Sequence, residues 1–109
     1  MDEITAFYIE GEKTLIFRKE GKFFISFDPI DLEFVKINMI GSEMLYLISQ
    51  KYKFDKIINH FTNKYNIPEK SIYNDLINFL KSYRCLNIIY DILINLSFPT
   101  EVIPNDVKI

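Results

Sequence analysis

The side chains able to carry chemistry are few and scattered along the sequence. The chain holds a single histidine, His60, and a single cysteine, Cys85. A lone His with no Cys or carboxylate at metal-ligand spacing makes no metal site, so His60 is expected as an ordinary residue on a helix surface. Cys85 follows a helical pattern and sits among apolar residues, where a buried, inert thiol is expected. Asp55 and Glu69 fall near expected helix starts, where interaction with the helix dipole accounts for them without any paired acid–base role. Asp75 is harder to place. It lies mid-helix between apolar neighbours, and either a structural hydrogen bond or a contact to a ligand would explain it. The three glycines are isolated turn or helix-start residues, so no phosphate-cradling loop is formed. With no nucleophile–base pair, metal set or cofactor loop, the expectation is a non-catalytic domain without cofactors.

The composition fits such a domain. The 109 residues suffice for one domain with one modest core. An apolar content of 49% with 16% aromatics argues against disorder. A formal net charge of −2 provides no overall positive field to gather nucleic acid or anionic lipid. A single cysteine forms no internal disulfide, and residues 1–12 carry acids with no apolar signal-peptide run. These features lead to the expectation of a cytoplasmic protein without membrane association. The most apolar stretch, residues 86–98, is interrupted by Asp91 and asparagines and is too short to span a bilayer. The glycosylation triplet at Asn95 is read as chance. The abundance of Ile, Lys and Asn fits an AT-rich bacterial genome.

The elements that must position any site divide the chain in two. The first third reads as strands at residues 6–10, 14–18, 22–27 and 32–37, separated by turn signals at Gly11, Gly21 and Asp28-Pro29. Phe23, Ile25 and Phe27 alternate onto one face. In residues 32–37 both faces carry apolar groups, so neither is plainly the solvent face. Whether the first strand joins the main sheet is left open. A helix over 39–50 comes next, with Asn38 as N-cap and a stripe of Ile40, Met44, Leu47 and Ile48. A second helix spans 54–65, with Ile57, Ile58, Phe61 and Tyr65 on its apolar face. A third runs over 68–84, opened by Pro68 and burying Ile72, Leu76, Phe79, Leu80 and Tyr83. Residues 86–93 read as a further strand, and Pro99 and Pro104 make 98–109 an extended tail. The expected fold class is α+β and winged-helix-like, three or four antiparallel strands followed by three α-helices, with the domain at 1–97.

Several of these residues carry a resemblance. Phe34-Val35-Lys36-Ile37-Asn38, Gly41, Met44-Leu45 and Ile48 resemble the PqqD-like strand that ends in an apolar-Asn pair before its first helix. Residues 54–58 and 61–65 resemble that family's second helix. Ile72, Asp75-Leu76, Phe79-Leu80 and Tyr83 resemble its third helix, and Leu86 and Ile88 its final apolar residues. The likeness covers residues 22–89 and departs from the family at Tyr83-Arg84-Cys85-Leu86, where the family usually carries Leu and Gly. The resemblance implies a recognition element for ribosomally made natural products, which binds the leader region of a precursor peptide as an added strand. The groove implied lies between the strand before the first helix and the third helix. It carries over to Leu32, Glu33, Phe34, Val35, Lys36 and Ile37, and to Tyr73, Asp75, Leu76 and Leu80. The implied partners are that leader and a modifying enzyme, radical SAM or similar, fused or separate. The Pro-interrupted tail resembles a linker into a radical SAM barrel.

Taken without the resemblance, the apolar strand faces read first as the two sides of a closed core, which is what such faces usually mean. Two rival functions stay open: a winged-helix DNA-binding regulator, and a structural dimerisation domain using residues 86–96. The first needs a basic recognition helix. The third helix offers only Lys70, Lys81 and Arg84 against Glu69 and Asp75.

Overall fold

A computed structural model describes residues 4–103. Residues 1–3 and 104–109 lie outside the described residues, and with them Pro104, the end of the expected tail and the first of the acidic N-terminal positions.

Four strands form one antiparallel sheet in chain order: β1 (Ala6–Glu10), β2 (Thr14–Glu20), β3 (Phe23–Asp28) and β4 (Glu33–Asn38). The first strand belongs to the sheet, and β1 and β4 are its two edges. Each connection is short and chemically specified. Gly21 takes φ +65° in the tight β2–β3 turn, a conformation that costs glycine nothing sterically. In the β3–β4 turn Asp28 Oδ1 accepts from the Ile30 and Asp31 N–H groups. Lys13 Nζ reaches the same turn, 2.7 Å from Asp28 Oδ2 and 2.5 Å from Asp31 Oδ2. The Lys13 ammonium holds the Asp28 carboxyl below its ordinary pKa against the opposing effect of burial, and the two N–H groups add to this.

Alternation sorts the sheet into two faces. Ile9, Leu15, Phe17, Phe24 and Ile37 are buried beneath the helices, whereas Tyr8, Ile16 and Phe34 are exposed on the outer face. Helix α1 (Met39–Ser49) packs on the inner face against β1, β3 and β4, while α2 (Phe54–Tyr65) packs against α3 (Glu69–Ser82), which also touches α1. Asn38 caps α1 as its spacing implies, its side chain accepting from Gly41 N–H at 2.7 Å. Met44, Leu47 and Ile48 of the expected stripe are buried, but Ile40 is exposed. Ile57, Ile58 and Phe61 of α2 are core, and Asn66 ends that helix in the left-handed conformation. Phe79, expected in the core with Ile72, Leu76 and Leu80, is only half-buried.

Two expectations near the C-terminal end are corrected. Residues 86–93 form no strand; they make a 3-10 turn, Leu86–Ile89, running into α4 (Tyr90–Asn95). Ile89, Leu93 and Leu96 are buried at helical spacing, and this period outweighs the β-propensity of the isoleucines. Among the described residues the fold is thus α+β with a four-stranded sheet and four α-helices, not three. The stretch from Phe98 is not an extended tail as far as Ile103. Phe98, Val102 and Ile103 are buried, with the Phe98 ring centroid 4.9 Å from that of Phe54, and Thr100–Val102 forms a 3-10 turn. The apolar side chains between the prolines find core surface, which a reading of the prolines alone misses. Among the described residues no helix is long and apolar enough to cross a membrane.

Candidate functional site

The edge of β4 is the feature on which a site can be built. Lys19 N–H donates to Thr5 O at 2.8 Å, so Lys19 bonds toward β1. In an antiparallel sheet successive residues of a strand turn their N–H and C=O alternately to one neighbour and the other. Leu15 and Phe17 therefore also bond to β1, while Ile16 and Arg18 bond to β3. Ile16 pairs with Phe27 and Arg18 with Ile25, which leaves Phe24 and Ser26 to bond to β4. Ser26 pairs with Val35 and Phe24 with Ile37. Glu33, Val35 and Ile37 thus face β3, and the backbone N–H and C=O groups of Phe34 and Lys36 point to the open edge. Among the described residues no other backbone group pairs with them.

Alongside this edge runs α3. Its C-cap residue, Tyr83, reaches under the sheet, with its Oη 2.6 Å from the buried Ser26 Oγ. Burial pushes the Tyr83 phenol far above its ordinary pKa. Arg84, just beyond the helix, forms an ion pair with Glu33 at the start of β4. At the other end of β4, Asn38, Ile40, Gly41, Asp75, Leu76 and Phe79 enclose a hollow of about 270 Å³. The two ends define a shallow groove from Glu33–Arg84 to Asn38–Asp75, with Phe79 stacked on Tyr83 at 5.9 Å along its helical wall.

The sequence-derived candidates distribute unevenly over this groove. Val35 is half-buried on the inner face and Ile37 is buried. Phe34 is 64% exposed on the outer face, its ring 4.6 Å from that of Phe27. Lys36 lies beside it on that face, Nζ 4.2 Å above the Phe23 ring. Leu32 is exposed in the turn at φ 55°. Asp75 and Leu76 border the hollow. Leu80 has no exposed surface and is core. Tyr73 packs edge-on against Phe54 at 5.6 Å, on the α2 side of α3. Phe79, Tyr83 and Arg84 border the groove and were not among the candidates. Phe79 follows Asp75 by four residues, hence on the same helix face, which was the signal available.

A second cluster of ionisable groups lies between α1 and α2. Glu43, buried within α1, accepts from His60 Nε2 at 2.5 Å, Tyr65 Oη at 2.7 Å and Lys64 Nζ at 3.0 Å. Burial disfavours its charge, but the three donors more than offset this and hold the carboxyl below its ordinary pKa. His60 is therefore a half-buried partner of Glu43 and not the plain surface residue expected. Cys85 is buried, and burial raises its thiol pKa, as its apolar surroundings imply. No group of three His, Cys, Asp or Glu side chains among the described residues is placed to hold a metal ion.

No family model matches the chain, and comparison with curated proteins and with solved structures finds no match.

Proposed function

We propose that the chain is a winged-helix-like, non-catalytic recognition domain that binds the leader region of a ribosomally made precursor peptide by strand addition at β4. It would present that leader to a modifying enzyme, radical SAM or similar, fused or separate, in the cytoplasm. The observation that carries this reading is the open edge of β4 beside α3, with the main-chain groups of Phe34 and Lys36 directed outward. An extended peptide satisfies such groups, and main-chain bonding supplies affinity while side-chain pockets supply selectivity. The PqqD-like residue pattern of β4, α1 and α3 places its implied groove along the same edge. A nucleic-acid reading has less support, because Arg84 is engaged by Glu33 and the α3 cations, Lys70 and Lys81, are balanced by Glu69 and Asp75.

The test is to look for a short precursor gene beside this one and to titrate the chain with the leader it encodes, followed by backbone amide shifts. Shifts at β4 and along α3 from Asp75 to Arg84 are expected. Shifts confined to β1 and β2, with β4 and α3 unmoved, would remove the proposal.

A further inference from the structure

The outer face of the sheet carries a side-chain pattern that backbone pairing alone leaves unexplained. The register aligns Tyr8 with Ile16, Ile16 with Phe27, and Phe27 with Phe34. An apolar row therefore crosses all four strands and ends at Phe34 on the open edge. Tyr8 is 61% and Phe34 64% exposed, unusual for large apolar groups on a sheet face. The adjacent row aligns Ala6, Arg18, Ile25 and Lys36, and so reaches the same edge with a cation. Between the rows Ile16, Ile25, Phe27, Phe34 and Arg18 line a shallow hollow of about 570 Å³.

We infer that β4 selects its ligand through this outer face, favouring an added strand with an apolar residue opposite Phe34 and an acidic residue opposite Lys36. This rests on the strand-addition reading and specifies which peptides satisfy it. Side chains directly across a strand pair lie close enough to interact, and alternate residues of an added strand fall on one face. An apolar residue opposite Phe34 extends the Tyr8–Ile16–Phe27–Phe34 row by one strand and covers its exposed end. A carboxylate two residues away meets the Lys36 ammonium. That ammonium rests over the Phe23 ring, which holds it on this face. The intervening residue points inward toward Phe79 and Tyr83. In a ligand antiparallel to β4 the order is acid–x–apolar, and in a parallel one apolar–x–acid. An edge lysine also discourages nonspecific strand pairing, but that role alone would not require the aromatic beside it.

A library of short, capped synthetic peptides containing both orders, with the acid position varied over all side chains, tests this against the full chain. Enrichment of Asp and Glu at that position is expected. Lys36→Glu should reverse the preference toward Lys and Arg by roughly three- to fivefold, the size of a cross-strand charge pair, with an unchanged melting temperature. Phe34→Ala should erase the apolar preference at the other position. If peptides shift the Phe34 and Lys36 amides but the preference ignores the charge at position 36, this inference fails and strand addition survives. If no library member moves those amides, both fail. A concentration-dependent dimer abolished by Lys36→Glu would make a second copy the occupant and likewise overturn the inference.

Discussion

Tyr83 Oη and Ser26 Oγ lie 2.6 Å apart in a buried bond that ties the end of α3 to the central strand β3. The bond joins residues 57 positions apart in the chain. It sets the distance between the two walls of the groove, since Ser26 pairs directly with Val35 of β4. Tyr83→Phe should leave the Ser26 hydroxyl without its partner and cost about 1–3 kcal/mol. Replacing both, Tyr83→Phe with Ser26→Ala, should cost less than the sum of the single changes, since no orphaned hydroxyl remains. Denaturant midpoints at unchanged slope measure this.

Gly41 governs the other end of the groove. A Cβ there would stand 2.4 Å from the Phe79 ring, so the ring must move to admit even alanine. Gly41→Ala should therefore destabilise by about 1–3 kcal/mol through overpacking. It should also perturb the Asp75–Phe79 hollow, seen as changed Phe79 ring resonances in the free protein.

Leu80 separates core from groove on α3. It is fully buried, so Leu80→Asp should unfold the chain, lost near-ultraviolet dichroism being the readout. Asp75→Ala, at an exposed position bordering the hollow, should leave the melting temperature nearly unchanged and alter only ligand affinity.

Much of this arrangement is legible in the sequence where local signals are strong. Gly21, Asp28 and Asn38 mark turns and a cap through their own side-chain or backbone chemistry, and they place β2, β3, β4 and α1 within a few residues. Residues 86–103 are not legible in the same way. Their isoleucines suit strands and their prolines suit extended chain, but the core surface left open by α2 and α3 decides the outcome. The candidate site divides likewise. The double-faced apolar character of β4 marks it for attention, yet only the register from β1 through β3 fixes which of its main-chain groups are free. Glu43 and its donors escape notice because His60, Lys64 and Tyr65 lie 17 to 22 residues away.

The Glu43 cluster makes stability depend on pH in a direction set by the sign of its shift. The folded carboxyl titrates below its ordinary value of 4.5, so its contribution is fully present above that value. It is lost as pH falls through the folded pKa, where the native state must take up a proton it resists. Asp28, also depressed, weakens over the neighbouring acid range. Glu43→Gln should lower stability at neutral pH by about 1–3 kcal/mol. It should also reduce the slope of stability against pH on the acid side, leaving the part due to Asp28. Melting temperatures of the two proteins should converge as the pH is lowered from 7 toward 3, values that bracket the titration of an ordinary carboxyl.

Proline at adjacent positions of β4 should separate folding from binding. Proline lacks an N–H and fixes φ, so its effect depends on where the lost donor pointed. Val35 N–H faces Ser26 of β3, and its side chain packs toward the core. Val35→Pro should therefore break a sheet bond and lower the melting temperature, with any loss of binding following from unfolding. Phe34 N–H faces the open edge, so Phe34→Pro removes no main-chain bond of the folded sheet and, within the protein, only the exposed ring's contact with Phe27. It should fold with a melting temperature near that of the parent, yet lose about 1–3 kcal/mol of affinity for an added strand through the missing main-chain bond and local strain. Calorimetric titration with the leader peptide, beside thermal melts of both variants, gives the comparison. The outcome that sinks strand addition at β4 is a well-folded Phe34→Pro protein that binds the leader as tightly as the parent.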